Sequence, residues 1–119
     1  GSSANKLQEA KSLFNEGKYP ESLSMLENIL KEKPQDAEAI KLAGIVSLRM
    51  ENYDKALGYF KWLASQPGLY DNPGLFYQAL TLMKRNLPGD KQKVIILLQE
   101  VVNGNLSGNE TAQDWLKDL

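Results

Sequence analysis

The sequence predicts an all-α chain made of repeated helix pairs, and three observations predict it. Apolar residues recur at three- and four-residue spacing in segment after segment, which places them on one helical face. The pattern also copies itself: Gly44, Tyr53, Ala56, Phe60, Leu63 and Ala64 have counterparts 34 residues earlier in Ala10, Tyr19, Ser22, Leu26, Ile29 and Leu30. Finally, Gly17, Pro34 and the run from Pro67 to Gly74 fall between the periodic segments, where glycine and proline end helices. A period of this length means that one supersecondary unit is stacked on the next, because a single unit cannot bury its own apolar face.

The elements follow in order. Gly1-Ser2-Ser3 reads as a scar of tag removal, leaving one domain from about residue 4 to 119. From about Asn5 to Glu16, Leu7, Ala10, Leu13 and Phe14 share one face of a first helix. Gly17 stops it, Pro20 sits in the first turn of the next helix, and that helix buries Leu23, Leu26, Ile29 and Leu30 before Pro34 forbids continuation. This is the first repeat, about residues 4–36. The second, about 37–70, opens with Asp36 as an N-cap for a helix from Ala37 to about Met50 that buries Ile40, Ala43, Gly44, Ser47 and Leu48 in varying degree. Asn52-Tyr53-Asp54 makes the turn, and a helix from Asp54 to Ala64 carries Ala56, Leu57, Phe60, Leu63 and Ala64 as a wide stripe, with Tyr59 and Trp62 off it.

The third repeat, about residues 71–105, opens with Leu75 to Met83, a helix apolar nearly all round. Here the register slips. Ala79 lies 35 residues after Gly44, but Val94 and Leu98 lie 38 after Ala56 and Phe60, so about three residues are inserted near 85–88, in the turn. Gly89-Asp90 is expected to restore the turn and cap, with Val94, Leu97, Leu98 and Val101 inward beyond it. After a loop at 103–109, a short helix over about 110–119 gathers Ala112, Trp115, Leu116 and Leu119 on one side, and its expected task is to close the last apolar face.

The 34-residue period, the small residue in the first helix, the Gly/Asn-Tyr turn, the small residue opening the second helix and the closing proline together resemble the tetratricopeptide repeat family. The resemblance implies an α-solenoid of three helix-turn-helix repeats plus a capping helix. It implies that Gly44, with Ala10 and Ala79 in the same slot, sits where paired helices approach most closely. It also implies a concave groove lined by the first helix of each pair. On this chain the groove positions are Leu7, Lys11, Phe14 and Asn15; Glu38, Lys41, Ile45, Leu48 and Arg49; and Pro73, Phe76, Leu80, Met83 and Lys84. Of these, Lys11, Phe14, Asn15, Lys41, Ile45, Leu48, Arg49, Phe76, Leu80, Met83 and Lys84 are the candidate partner contacts. Some family members clamp a C-terminal carboxylate with lysine, asparagine and arginine residues; the slots for that clamp hold Leu7, Lys11, Ile45, Pro73 and Tyr77 and do not supply it. The last third, with its Gly-Asp turn, leucine-rich helix and Ala-x-x-Trp-Leu end, also resembles bacterial envelope-associated proteins of this family, in which such a domain follows a membrane anchor.

Composition narrows the function. With no cysteine and no histidine, the chain lacks thiolate nucleophiles, histidine bases and the usual zinc ligands. No paired carboxylates fall on an apolar face, so an enzyme is not expected, nor is a cofactor. A net charge of −1, spread as −1, +1, +1 and −2 over residues 1–36, 37–70, 71–104 and 105–119, offers no basic footprint for nucleic acid. The longest apolar run, Val94 to Leu98, is too short to span a bilayer. The expectation is a monomeric, non-catalytic module that binds a peptide or helix of another protein. The alternative is a spacer or oligomerisation domain of a larger membrane-anchored protein.

Overall fold

A computed structural model describes residues 3–119, and among them it contains seven α-helices and no strand. The helices are α1 (Ser3–Asn15), α2 (Tyr19–Glu32), α3 (Ala37–Arg49), α4 (Tyr53–Ala64), α5 (Gly74–Arg85), α6 (Asp90–Asn103) and α7 (Asn109–Asp118). Sequential neighbours pack as helix-turn-helix pairs. The chain divides into two compact units, one ending at Tyr59 and the other Phe60–Leu119, with the division inside α4. Of the expected tag remnant, Gly1 and Ser2 lie outside the described residues and Ser3 opens α1.

In the first unit α2 packs on α1 and on α3, and α1 also meets α3. Leu26, Ile29 and Ile40 are completely or almost completely buried, and burying a side chain of this size contributes about 1.5–3 kcal/mol. Ala10 and Gly44 are buried at equivalent places in α1 and α3. Small size there leaves room for a polar link as well: the Ser22 hydroxyl of α2 donates to the Ala10 carbonyl of α1 at 2.7 Å. Asp36 caps α3 as its sequence predicts, accepting from the Ala39 N–H at 3.2 Å.

In the second unit the last residues of α4 pack on α5, α5 on α6, and α6 on α7. Phe60 stacks on Tyr77 with ring centroids 4.9 Å apart. Val94, Leu98, Val101, Ala79 and Ala112 are buried. The expectation of a third-repeat helix apolar all round needs correction. Gln78 and Thr81 of α5 are buried, while Phe76 and Leu80 are half-exposed. Burial of these polar groups is tolerated because each has a partner: Gln78 donates to the Phe60 carbonyl at 3.4 Å and Thr81 to the Tyr77 carbonyl at 2.7 Å. Gly74 has a separate cause. A Cβ at that position would lie 2.5 Å from the Ala64 backbone nitrogen, so only glycine lets α5 start this close to α4. Asn72 fixes the approach, donating to the Leu63 carbonyl and accepting from the Gly74 N–H.

The helix ends repeat as regularly as the cores. Gly17, Glu51 and Asn86 are all left-handed, at spacings of 34 and 35 residues. Past the first two, the next N–H turns back to the helix it leaves: Lys18 to Leu13 and Asn52 to Ser47, both at 2.9 Å. The turn after α5 differs. The Leu87 N–H goes instead to the Asp90 carboxylate at 3.0 Å, and Arg85 grips the same carboxylate twice, at 2.9 and 2.7 Å. Asp90 is therefore not the simple cap expected of it; Gly89 holds the cap position and Asp90 is the first residue of α6. A second loop has the same plan. Asn86-Leu87-Pro88-Gly89-Asp90 and Asn105-Leu106-Ser107-Gly108-Asn109 each run from a left-handed asparagine to a left-handed glycine that starts the next helix. They differ at the third residue, Pro88 against Ser107, and at the fifth, which changes the hydrogen bonding. The carboxylate of Asp90 can only accept, whereas the amide of Asn109 donates to the Leu106 carbonyl at 2.8 Å.

Candidate partner-binding surface

The eleven candidate contacts lie on α1, α3 and α5, the first helix of each expected pair, and none of them is buried. Asn15, Arg49, Met83 and Lys84 are exposed; Lys11, Phe14, Lys41, Ile45, Leu48, Phe76 and Leu80 are half-buried. The separation is sharp on α3. Ala39, Ile40, Ala43 and Val46 are fully buried, while Lys41, Ile45 and Leu48 on the other side reach water.

In the first unit the structure brings candidates of α1 and α3 together. The Arg49 guanidinium sits 5.4 Å from the centroid of the Phe14 ring, within cation–π reach. Phe14 in turn meets Tyr19 at 5.6 Å. Lys11 of α1 pairs with Glu38 of α3 at 3.5 Å, both side chains substantially exposed. A pair so placed contributes at most about 1 kcal/mol and is easily exchanged. Among the described residues, Lys41 and Arg49 have no carboxylate within ion-pair distance. Ile45 and Leu48 share this side of α3, and Asn15 ends α1.

In the second unit Phe76 is covered by the chain itself. The Trp115 ring of α7 stacks on it at 5.2 Å, and Gly108 lies so close that a Cβ there would meet the Phe76 ring at 2.5 Å. Trp115 thus closes an apolar face, the role expected of it. Leu80, Met83 and Lys84 remain at the α5 surface, Met83 being 36% exposed. The end of α5 is fixed by the Arg85–Asp90 pair. That arginine's bidentate hold, with help from the Leu87 N–H and nearby positive charge, outweighs burial and pushes the Asp90 carboxyl down to about 2.

Three of these arrangements escape a residue-by-residue reading. The Arg49–Phe14 contact joins residues of α1 and α3, and neither segment alone signals it. The matched loops were accessible by aligning Asn-Leu-x-Gly with itself. The contact of Gly108 and Trp115 with Phe76 leaves no local signal. No helix among the described residues is long and apolar enough to cross a membrane. No protein-family model and no curated protein matches the chain.

Proposed function

We propose that this chain is a tetratricopeptide-like interaction module without catalytic activity, which binds a peptide or helix of a partner protein along the first helices of its pairs. The observation that carries the reading is the two-sided character of α3. Ala39, Ile40, Ala43 and Val46 are buried, while Lys41, Ile45, Leu48 and Arg49 form a mixed basic and apolar strip open to water. Apolar groups give such a strip affinity and cations give it orientation. The 34-residue recurrence of left-handed turn residues and of small buried residues at Ala10 and Gly44 supports the repeat assignment. Lys11, Phe14 and Asn15 extend the reading to α1 within the same unit, and Leu80, Met83 and Lys84 are the corresponding candidates on α5 of the second unit.

The test is differential capture from bacterial lysate and envelope fractions with the wild type and a Lys41→Glu/Arg49→Glu variant. Circular dichroism first establishes that both are folded. A protein retained by the wild type and lost by the variant is the expected result. Identical capture by both, or capture by neither, contradicts the reading and favours a spacer or oligomerisation role.

A further inference from the structure

Resting on that reading, we infer that the α1/α3 face of the first unit receives an acidic amphipathic helix. Arg49 and Lys41 take two of its carboxylates, and Ile45 with Leu48 takes the apolar residue between them.

The spacing sets the partner's register. Lys41 and Arg49 are eight residues apart on α3, which is about 12 Å along a helix axis. Two carboxylates separated by about two turns on a facing helix match that distance. Ile45 and Leu48 fall between the cations, so the residue opposite them must be apolar for the contact to exclude water.

The electrostatics set the partner's sign. Arg49 rests over the face of Phe14, and a ring on one side of a guanidinium leaves N–H groups available to a carboxylate. The ring also restricts the side chain before any partner arrives, which lowers the ordering cost of binding. Lys41 and Arg49 are the two candidate cations of this face without an acidic partner among the described residues. Lys11 shows the alternative, its charge already held by Glu38. The nearest acid in sequence to Arg49, Glu51, stands beyond the helix end in a left-handed turn and does not pair with it.

A second copy of the chain fits less well. Glu110, Asp114 and Asp118 of α7 have suitable sign and periodicity, but two of the three apolar residues of that helix are engaged: Ala112 is buried and Trp115 stacks on Phe76. An occupant from outside the chain, with an apolar residue free to dock between its carboxylates, matches the strip.

The experiment uses two synthetic helical peptides, one with glutamates two turns apart and a leucine midway, the other with lysines in place of the glutamates. Each is titrated by heteronuclear NMR into the wild type and into Lys41→Glu/Arg49→Glu. The glutamate peptide is expected to shift the amides of Lys41 to Arg49 in the wild type and to bind the variant at least about tenfold more weakly, while the lysine peptide prefers the variant. If both peptides perturb α1 and α3 of the wild type equally, the carboxylate inference fails and the binding-face reading stands. If neither perturbs α1 or α3, both fail. Concentration-dependent dimerisation of the peptide-free wild type, abolished in the variant, overturns the inference in favour of a second copy as occupant.

Discussion

Helices α3 and α5 hold equivalent places in the 34-residue pattern, yet their surroundings use the same kinds of side chain differently. Around α5 the polar and aromatic groups are committed to the fold. Asn72 and Gly74 fix its start, Tyr77 stacks on Phe60, Phe76 lies against Trp115, and Arg85 with Asp90 fixes its end. Around α3 the capping Asp36 is committed in the same way, but among the described residues Lys41 and Arg49 have no carboxylate partner, and Arg49 rests on a ring face. The lesson is that a repeat position defines where a side chain points and leaves open whether it holds the fold or meets a partner. Substitutions around α5 should therefore cost stability, and charge changes on α3 should cost binding.

The largest effect is expected at Gly74. Its Cβ would collide with backbone, which cannot move aside as a flexible side chain can, so Gly74→Ala should destabilise by about 3 kcal/mol, at the upper end of ordinary overpacking. A denaturant midpoint equal to the wild type's would contradict the packing of α5 on α4. Trp115→Ala comes next. The ring is half-buried and is the stacked cover of Phe76, so a loss of about 2 kcal/mol is expected, somewhat below the cost of a core aromatic. Binding that depends on Lys41 and Arg49 should persist in the folded fraction of that variant, and its loss would mean that the two faces are not independent.

The Arg85–Asp90 pair sharpens the comparison through pH. Because the folded-state carboxyl is depressed to about 2, its stabilising contribution is complete above the ordinary range near about 4 and is lost as pH falls toward about 2. Asp90→Asn should melt below the wild type near neutrality, and the gap should close over that acidic window. A gap that stays constant down to the lower limit would remove the ion pair from the account. At the small end, Gly58 is exposed within α4, and a Cβ there would meet nothing. Gly58→Ala should stabilise by about 0.5–1 kcal/mol through helix propensity and a less flexible unfolded chain. Of similar size and opposite sign, Lys41→Glu/Arg49→Glu should cost about 0.5–1 kcal/mol through the lost contact of Arg49 with the Phe14 ring, which thermal melts can check.

Much of the fold was legible because its causes are local. The 3.6-residue periodicity located the helices to within about two residues at each end, and Asp36 announced its own cap. Burial of Gln78 and Thr81 was not legible, since their partners are carbonyls that acquire a position only after packing. The capture of Asp90 by Arg85 was hidden for a related reason: the two residues belong to different helices, and a left-handed Asn86 brings them together. Of the candidate surface, the positions on α3 came from the resemblance to the repeat family; periodicity marked Ile40, Ala43 and Gly44 as the buried side. Neither gave the different use of Phe14 and Phe76, because one meets an arginine of the next first helix and the other a tryptophan far along the chain.

The most direct test of this division is a hydrogen-exchange footprint of the wild type, with and without the protein captured by it and lost by the Lys41→Glu/Arg49→Glu variant. Added protection concentrated from Lys41 to Arg49, with Phe76 and its neighbours unchanged, is the predicted result. Protection that appears around Phe76 and leaves Lys41 to Arg49 unaltered would contradict it.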